Sequence, residues 1–374
     1  VSARGDSLPL PVTDLGGKLT ISPESMILTD FTMKFGSSDI QLAGKMSNYL
    51  SFIKEDVSQS QLPNVTGNYS STLLNMDEMI DWDEETDPNE PIPIELPNLN
   101  AKVGADISKL IILGITLTDV SGNGEMNPVK IVLSDAKATM FEGTATGNMV
   151  WDIPAPTNTK INFSGTLNEL AAKAFFRDTG FLGENSTIHE YIEGALSADV
   201  HYISNLNPAL SPVLSTTNAE GSFGMTKARL GNHPIQMKVA NFLKVKELET
   251  LALDEWKSDF TIKNEVLTFK NLNLTSDKIG LEMNGTHHLN NDKIDYKAVI
   301  ALPGTFKKGL SSVIGEQVVN ALTQENGTIS VPLLITGTST NPTVRPDETV
   351  IKKIVEDYLK EQGGNILKNI LGGN

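Results

Sequence analysis

The chain has 374 residues, 39% of them apolar, with a formal net charge of −16 and no Cys. That charge argues against nucleic acid as a partner and against simple electrostatic docking on anionic lipid. Without thiols there are no disulfides, thiolate metal sites or thiol catalysis.

In chain order, residues 1–76 read as a first β segment. Short strands are expected at Lys18–Ile21, Ser25–Thr29, Thr32–Phe35 and Ile40–Leu42, broken by Asp30, Gly36–Ser38 and Gly44, with a short helix around Leu73–Ile80. Residues 77–97 hold nine carboxylates, from Asp77 and Glu78 to Glu95, and Pro88, Pro91, Pro93 and Pro97. Like-charge repulsion and proline stiffness make this a loop or linker. Its alternating acids lack the turn Gly and distal Glu of an EF-hand, so calcium is not expected.

Residues 98–165 continue the β pattern, with Leu110–Leu117 the longest apolar run and too short for a membrane span. Residues 166–215 read as a helical insert, because Leu167, Leu170, Ala171, Ala174 and Phe175 fall at helical spacing before Gly180. Residues 216–346 read as a second β segment carrying helices over 234–243 and 305–325. Residues 347–374 read as a C-terminal helix, Glu348–Gln362, and a tail beyond Gly363–Gly364.

The clearest alternation runs from Asp259 to Leu302, where Phe260, Ile262, Leu267, Phe269, Ile279, Leu281 and Met283 fall on every second position apart from a phase shift near Lys270–Asn271. Period-two alternation gives each strand one apolar and one polar face, and the breaks carry turn chemistry, so this is an antiparallel meander. A related unit, an alternating strand interrupted by Gly, recurs at Ser38–Met46, Lys137–Met149, Lys160–Leu167, Ile279–Leu289 and Ile329–Thr338. Such glycines mark either bends within a sheet or ordinary hairpin turns. The fold expected is mainly β with flanking helices, an elongated, curled antiparallel groove with a helical insert and C-terminal helices.

Catalytic signatures are absent. The five His residues show no metal-ligand spacing, and adjacent His287 and His288 either point to opposite faces of a strand or sit in a turn. No nucleophile elbow, P-loop or dinucleotide fingerprint occurs. Carboxylates are plentiful, but nothing selects a pair for acid–base work. The expectation is a protein that is not an enzyme and needs no cofactor or metal.

The chain resembles the C-terminal region of the AsmA family of bacterial envelope proteins. The resemblance is carried by Leu10–Asp14 (LPVTD), Met33–Lys45 (MKFGSSDIQLAGK), Lys137–Trp151 (KATMFEGTATGNMVW), Glu220–Leu302 and Val331–Pro346 (VPLLITGTSTNPTVRP). It implies an elongated β-groove related in architecture to bridge-like lipid transporters. It also implies a periplasmic place, attachment to the inner membrane through a segment missing from this chain, and a role in outer-membrane biogenesis. The implied ligand is a phospholipid or other acyl lipid, handled by a monomer with or without an envelope protein partner.

Two classes of function follow: a lipid conduit lined by Phe260, Ile262, Leu267, Phe269, Ile279, Leu281 and Met283, or a non-transporting scaffold with closed sheets. A carbohydrate-active β-protein is a weaker third. An open apolar groove as against a sealed core separates the first two.

Overall fold

The computed structural model describes residues 10–53, 58, 61–79, 96–155, 158–179, 187–207, 212–276 and 279–371. The acidic run Asp81–Glu95 and Gly180 therefore lie outside the described residues. The chain is mainly β, with few flanking helices. Two compact units divide it: Val1–Leu170 with Ala198–Ala219, and Ala171–Ser197 with Glu220–Asn374.

Unit 1 contains β1 (Val12–Ile21), β2 (Ser25–Phe35), β3 (Ser38–Ser47), β4 (Asn64–Ser71), β5 (Leu74–Asn75), β6 (Asn100–Ile112), β7 (Ile115–Asn127), β8 (Lys130–Met140), β9 (Gly143–Ala155) and β10 (Asn158–Ala171). The ladder is antiparallel except at β4 and β5, which both pair parallel with β6. That joint fuses residues 1–76 and 98–165 into one sheet. The segment before it is a single 3-10 turn, Met76–Glu78, rather than the helix expected at Leu73–Ile80. Its two acids hold hairpin tips. Asp77 accepts the N–H groups of Leu113 (2.7 Å) and Gly114 (2.9 Å), and Glu78 accepts that of Ser37 (2.9 Å). The Ser37 bond keeps the Glu78 carboxyl below its ordinary range.

Asp30 does not end a strand. It is a β-bulge residue inside β2, with φ of 50° and a register shift between Leu28 and Phe31. Asp135 in β8 repeats this with φ of 53° and a shift between Leu133 and Ala136. Asp and Asn tolerate the left-handed region better than other residues with a side chain.

The helical insert expected over residues 166–215 is largely strand. β10 runs to Ala171, α1 covers only Ala172–Thr179, and β11 is Ile192–Leu206, divided between the two units. Glu169 explains the misreading: at φ of 55° it adds one residue within β10, which spaces Leu167 and Leu170 by three, as in a helix.

In unit 2, α1 and part of β11 are followed by β12 (Asn218–Gly231), α2 (Pro234–Leu243), β13 (Thr250–Leu253), β14 (Glu255–Lys263), β15 (Val266–Thr275), β16 (Gly280–His288) and β17 (Lys293–Leu302). Next come α3 (Lys307–Ile314), α4 (Glu316–Leu322), β18 (Ile329–Thr338), β19 (Pro342–Pro346) and α5 (Glu348–Leu371). Helix α2 matches its expected bounds. The single helix expected over 305–325 is broken at Gly315, whose φ of 88° a helix interior cannot accept. Conversely α5 continues through Gly363–Gly364 without interruption. β14 to β17 form the expected antiparallel meander, and β18 and β19 extend its antiparallel ladder beyond α3 and α4.

The glycines of the recurring unit lie inside strands and not in hairpin turns. Gly44 faces Gly67 across β3–β4, and Gly147 faces Gly165 across β9–β10. Gly285 in β16 has φ of 156°, and its missing Cβ leaves room for the backbone and ring of Tyr296 at 2.7 Å. A Gly285→Ala chain should lose roughly 2–4 kcal/mol of stability, through strain and collision together. Urea unfolding followed by circular dichroism measures this, and an unchanged midpoint contradicts the close-approach role.

Candidate functional site

Cross-strand register in unit 1 aligns apolar side chains into rows, because directly opposed residues share a face. One row runs Ile21, Met26, Met46, Val65, Ala101, Met126, Ile131, Trp151, Ile161 through nine strands. The next runs Leu19, Leu28, Gly44, Gly67, Val103, Gly124, Leu133, Met149, Phe163. No position in either row is polar.

None of these eighteen residues is fully buried. Leu19 and Ile21 are 52% and 60% exposed and Leu133 is 38% exposed. Deeper along the strands Ile107 and Ala138 are buried. Among the described residues of unit 1 there is no α-helix to cover the face. The opposite face is polar and wet, with ion pairs Lys34–Asp14 (3.0 Å), Lys102–Glu125 (2.7 Å) and Lys130–Asp152 (3.0 Å). Exposed pairs of this kind contribute little stability.

The residues singled out from the sequence lie in unit 2. Phe260 opposes Phe269, Ile262 opposes Leu267, Leu272 opposes Met283 and Leu274 opposes Leu281. Six of the seven candidates therefore share one face, and Ile279 immediately precedes β16. Phe260, Leu267 and Ile279 are buried at 6%, 4% and 7% exposure, whereas Ile262, Phe269, Leu281 and Met283 are half-buried. Phe223 of β12 packs against the Phe260 and Phe269 rings at 6.4 Å each.

The same face continues into β17 and β18, where Ile294, Ala298, Ile300, Val331, Leu333 and Ile335 are buried. Helix α2 packs on β19 and α4 on β18, with Val239, Leu243, Val319 and Leu322 buried. On the β17–β18 side the apolar face of unit 2 is thus a helix-covered core. The larger uncovered face of unit 1 was not singled out from the sequence. Its signal was present in the recurring Gly-interrupted strands, but bulges hid the common phase.

His287 and His288 alternate faces. His287 Nε2 pairs with Asp292 Oδ1 at 2.8 Å, and Asp292 also accepts the Ser339 N–H (3.2 Å), closing the end of the meander. Among the described residues no three His, Asp or Glu side chains gather where they could hold a metal. No described helix is long and apolar enough to cross a membrane. Compared with protein families, curated proteins and solved structures, the chain matches none.

One of the helices covering unit 2, α2, begins at an imidazole cap. His233 caps α2, its Nδ1 accepting the Ile235 N–H (3.3 Å), and the Tyr191 ring packs edge-on at 5.2 Å. Burial lowers its pKa from 6.5 to about 4. Because the folded pKa is depressed, the stability is present above the unfolded value and is lost as pH falls from 6.5 towards 4. The loss is at most about 3 kcal/mol. His233→Asn keeps a capping acceptor and removes the titration. Urea unfolding across that window should show a shallower pH dependence in the variant; equal slopes would place the acid sensitivity elsewhere.

Proposed function

We propose that the chain is a non-enzymatic protein of the Gram-negative envelope, carrying phospholipid or another acyl lipid along the apolar face of unit 1. The observation that carries this reading is the pair of apolar rows crossing nine strands without a covering layer among the described residues. Water-exposed apolar area on this scale is uncommon on a monomer and marks a surface that meets something apolar. Each CH₂ exposed to water costs ~0.8 kcal/mol, so a bare acyl tail faces a penalty on the order of 10 kcal/mol. A continuous apolar wall removes much of that barrier by contact alone. Head groups remain in water, where they need no specific pocket. The resemblance to the AsmA family supports the same reading and adds the periplasmic setting, an inner-membrane attachment and the link to outer-membrane biogenesis.

A second reading, a non-transporting scaffold, draws on the helix-covered core of unit 2, which buries the residues that the conduit idea would have lined. One pair of substitutions separates the two. Leu133→Asp in unit 1 puts a carboxylate on a partly exposed wall, where it stays hydrated. Leu267→Asp in unit 2 buries an unpaired charge and should cost several kcal/mol. Lipid that co-purifies with the chain, identified by mass spectrometry beside the melting temperature, gives the answer. The expected result is a folded, lipid-poor Leu133→Asp chain and an unstable Leu267→Asp chain. A wild-type chain without lipid, or a Leu133→Asp chain with its full complement, would favour the scaffold.

A further inference from the structure

The uncovered face of unit 1 is unusually rich in thioethers. Met26, Met33, Met46, Met126, Met140 and Met149, six of the chain's eleven methionines, lie on it, and all six are half-buried. Met26 and Met46 stand directly opposite each other across β2–β3, and Met33 opposes Ile40 on the same face. Met126 faces Ala101 and Ile131, and Met149 faces Leu133 and Phe163. The chain has no Cys, so thioether sulfur is the only sulfur it can oxidise. By contrast Met225 in unit 2 is 3% exposed.

We propose that this face is a site of reversible methionine sulfoxidation, which converts the apolar wall into a polar one. The oxidant is a small peroxide. A lone pair on Sδ attacks one peroxide oxygen, the O–O bond breaks and an S–O bond forms. Sulfur loses two electrons and the peroxide is reduced to water. Each event replaces a soft apolar group by a strongly polar sulfoxide, and methionine sulfoxide reductase reverses it. The rows are only nine residues wide, so conversion of Met26 and Met46 alone places two adjacent polar groups across one of them. The consequence for lipid rests on the carrier reading above; the modification itself does not.

The test uses the full chain treated with hydrogen peroxide, with sulfoxide at each Met followed by peptide mass spectrometry. The six face methionines should oxidise at least about fivefold faster than Met225, since susceptibility follows exposure. Fluorescence of 8-anilinonaphthalene-1-sulfonate reports the apolar face without any lipid. It should fall on oxidation, with circular dichroism unchanged, and return after reductase treatment. A chain carrying M26L, M33L, M46L, M126L, M140L and M149L should keep its fluorescence in peroxide. Equal oxidation of Met225, fluorescence that survives full sulfoxidation of the six, or loss of signal in the leucine variant would each overturn the proposal. Co-purified phospholipid is scored in parallel: if the reduced chain carries none, the carrier reading fails while the dye measurements still decide this one.

Discussion

Phase is the constraint on which the sheet depends. Side chains on a strand alternate between faces, so one uncompensated extra residue sends every later apolar group to the wet side. Three bulges absorb such residues at a fixed spacing. Asp30 lies 13 positions before Ala43, Asp135 13 before Asn148, and Asn271 13 before Asn284, and in each case the second residue opposes the bulge. Asn148 and Asn284 accept the bulge N–H groups of Asp135 and Asn271 at 3.0 and 2.8 Å. A hydrophobic residue precedes each by two positions: Leu28, Leu133 and Phe269. Left-handed backbone at Asp or Asn thus keeps long strands in register while bending them, and the apolar rows survive because the extra residue is held out of the ladder.

The two units use the same alternation to opposite ends. In unit 2 the rows carry Leu, Ile and Tyr, and α2 and α4 supply apolar knobs that bury them. In unit 1 the rows carry Gly opposite Gly and several Met. A helix laid on glycine pairs finds few side chains to interlock with, and flexible thioethers give no fixed shape for ridges to fit. The composition of the unit 1 face is therefore poor for a permanent covering layer and well suited to a transient, adaptable occupant.

Much of this was legible in the sequence. Period-two alternation gave the strands of the meander, and the phase shift at Lys270–Asn271 is the observed bulge. Helix α2 was legible because Pro234 opens it and Ile235, Val239, Phe242 and Leu243 hold helical spacing. Two misplaced boundaries share one cause: a bulge makes strand spacing look helical, as Leu167 and Leu170 did, or makes one strand look like two, as Asp30 did. The parallel joint between β4 and β6 had no signal, since pairing direction across an intervening acidic segment is set by tertiary contacts. Burial was also invisible. Alternation is the same in Leu267, which is buried on the face continuous with the covered core, and in Leu133, which meets water.

The polar residues that invite a chemical reading are accounted for by backbone. Asp39 accepts the N–H groups of Thr72 and Leu73, Asp77 and Glu78 hold hairpin tips, and Asp292 ties His287 to Ser339. Each satisfies donors at strand ends that would otherwise go unpaired where hairpins turn. The feature of unit 1 that none of these bonds explains is collective: an apolar wall of adjacent rows across nine strands. Such a wall is sensitive to polarity and tolerant of identity. Replacing one aliphatic group by another changes contact area slightly, whereas one charge or one oxidised sulfur interrupts a row that otherwise runs apolar through nine strands.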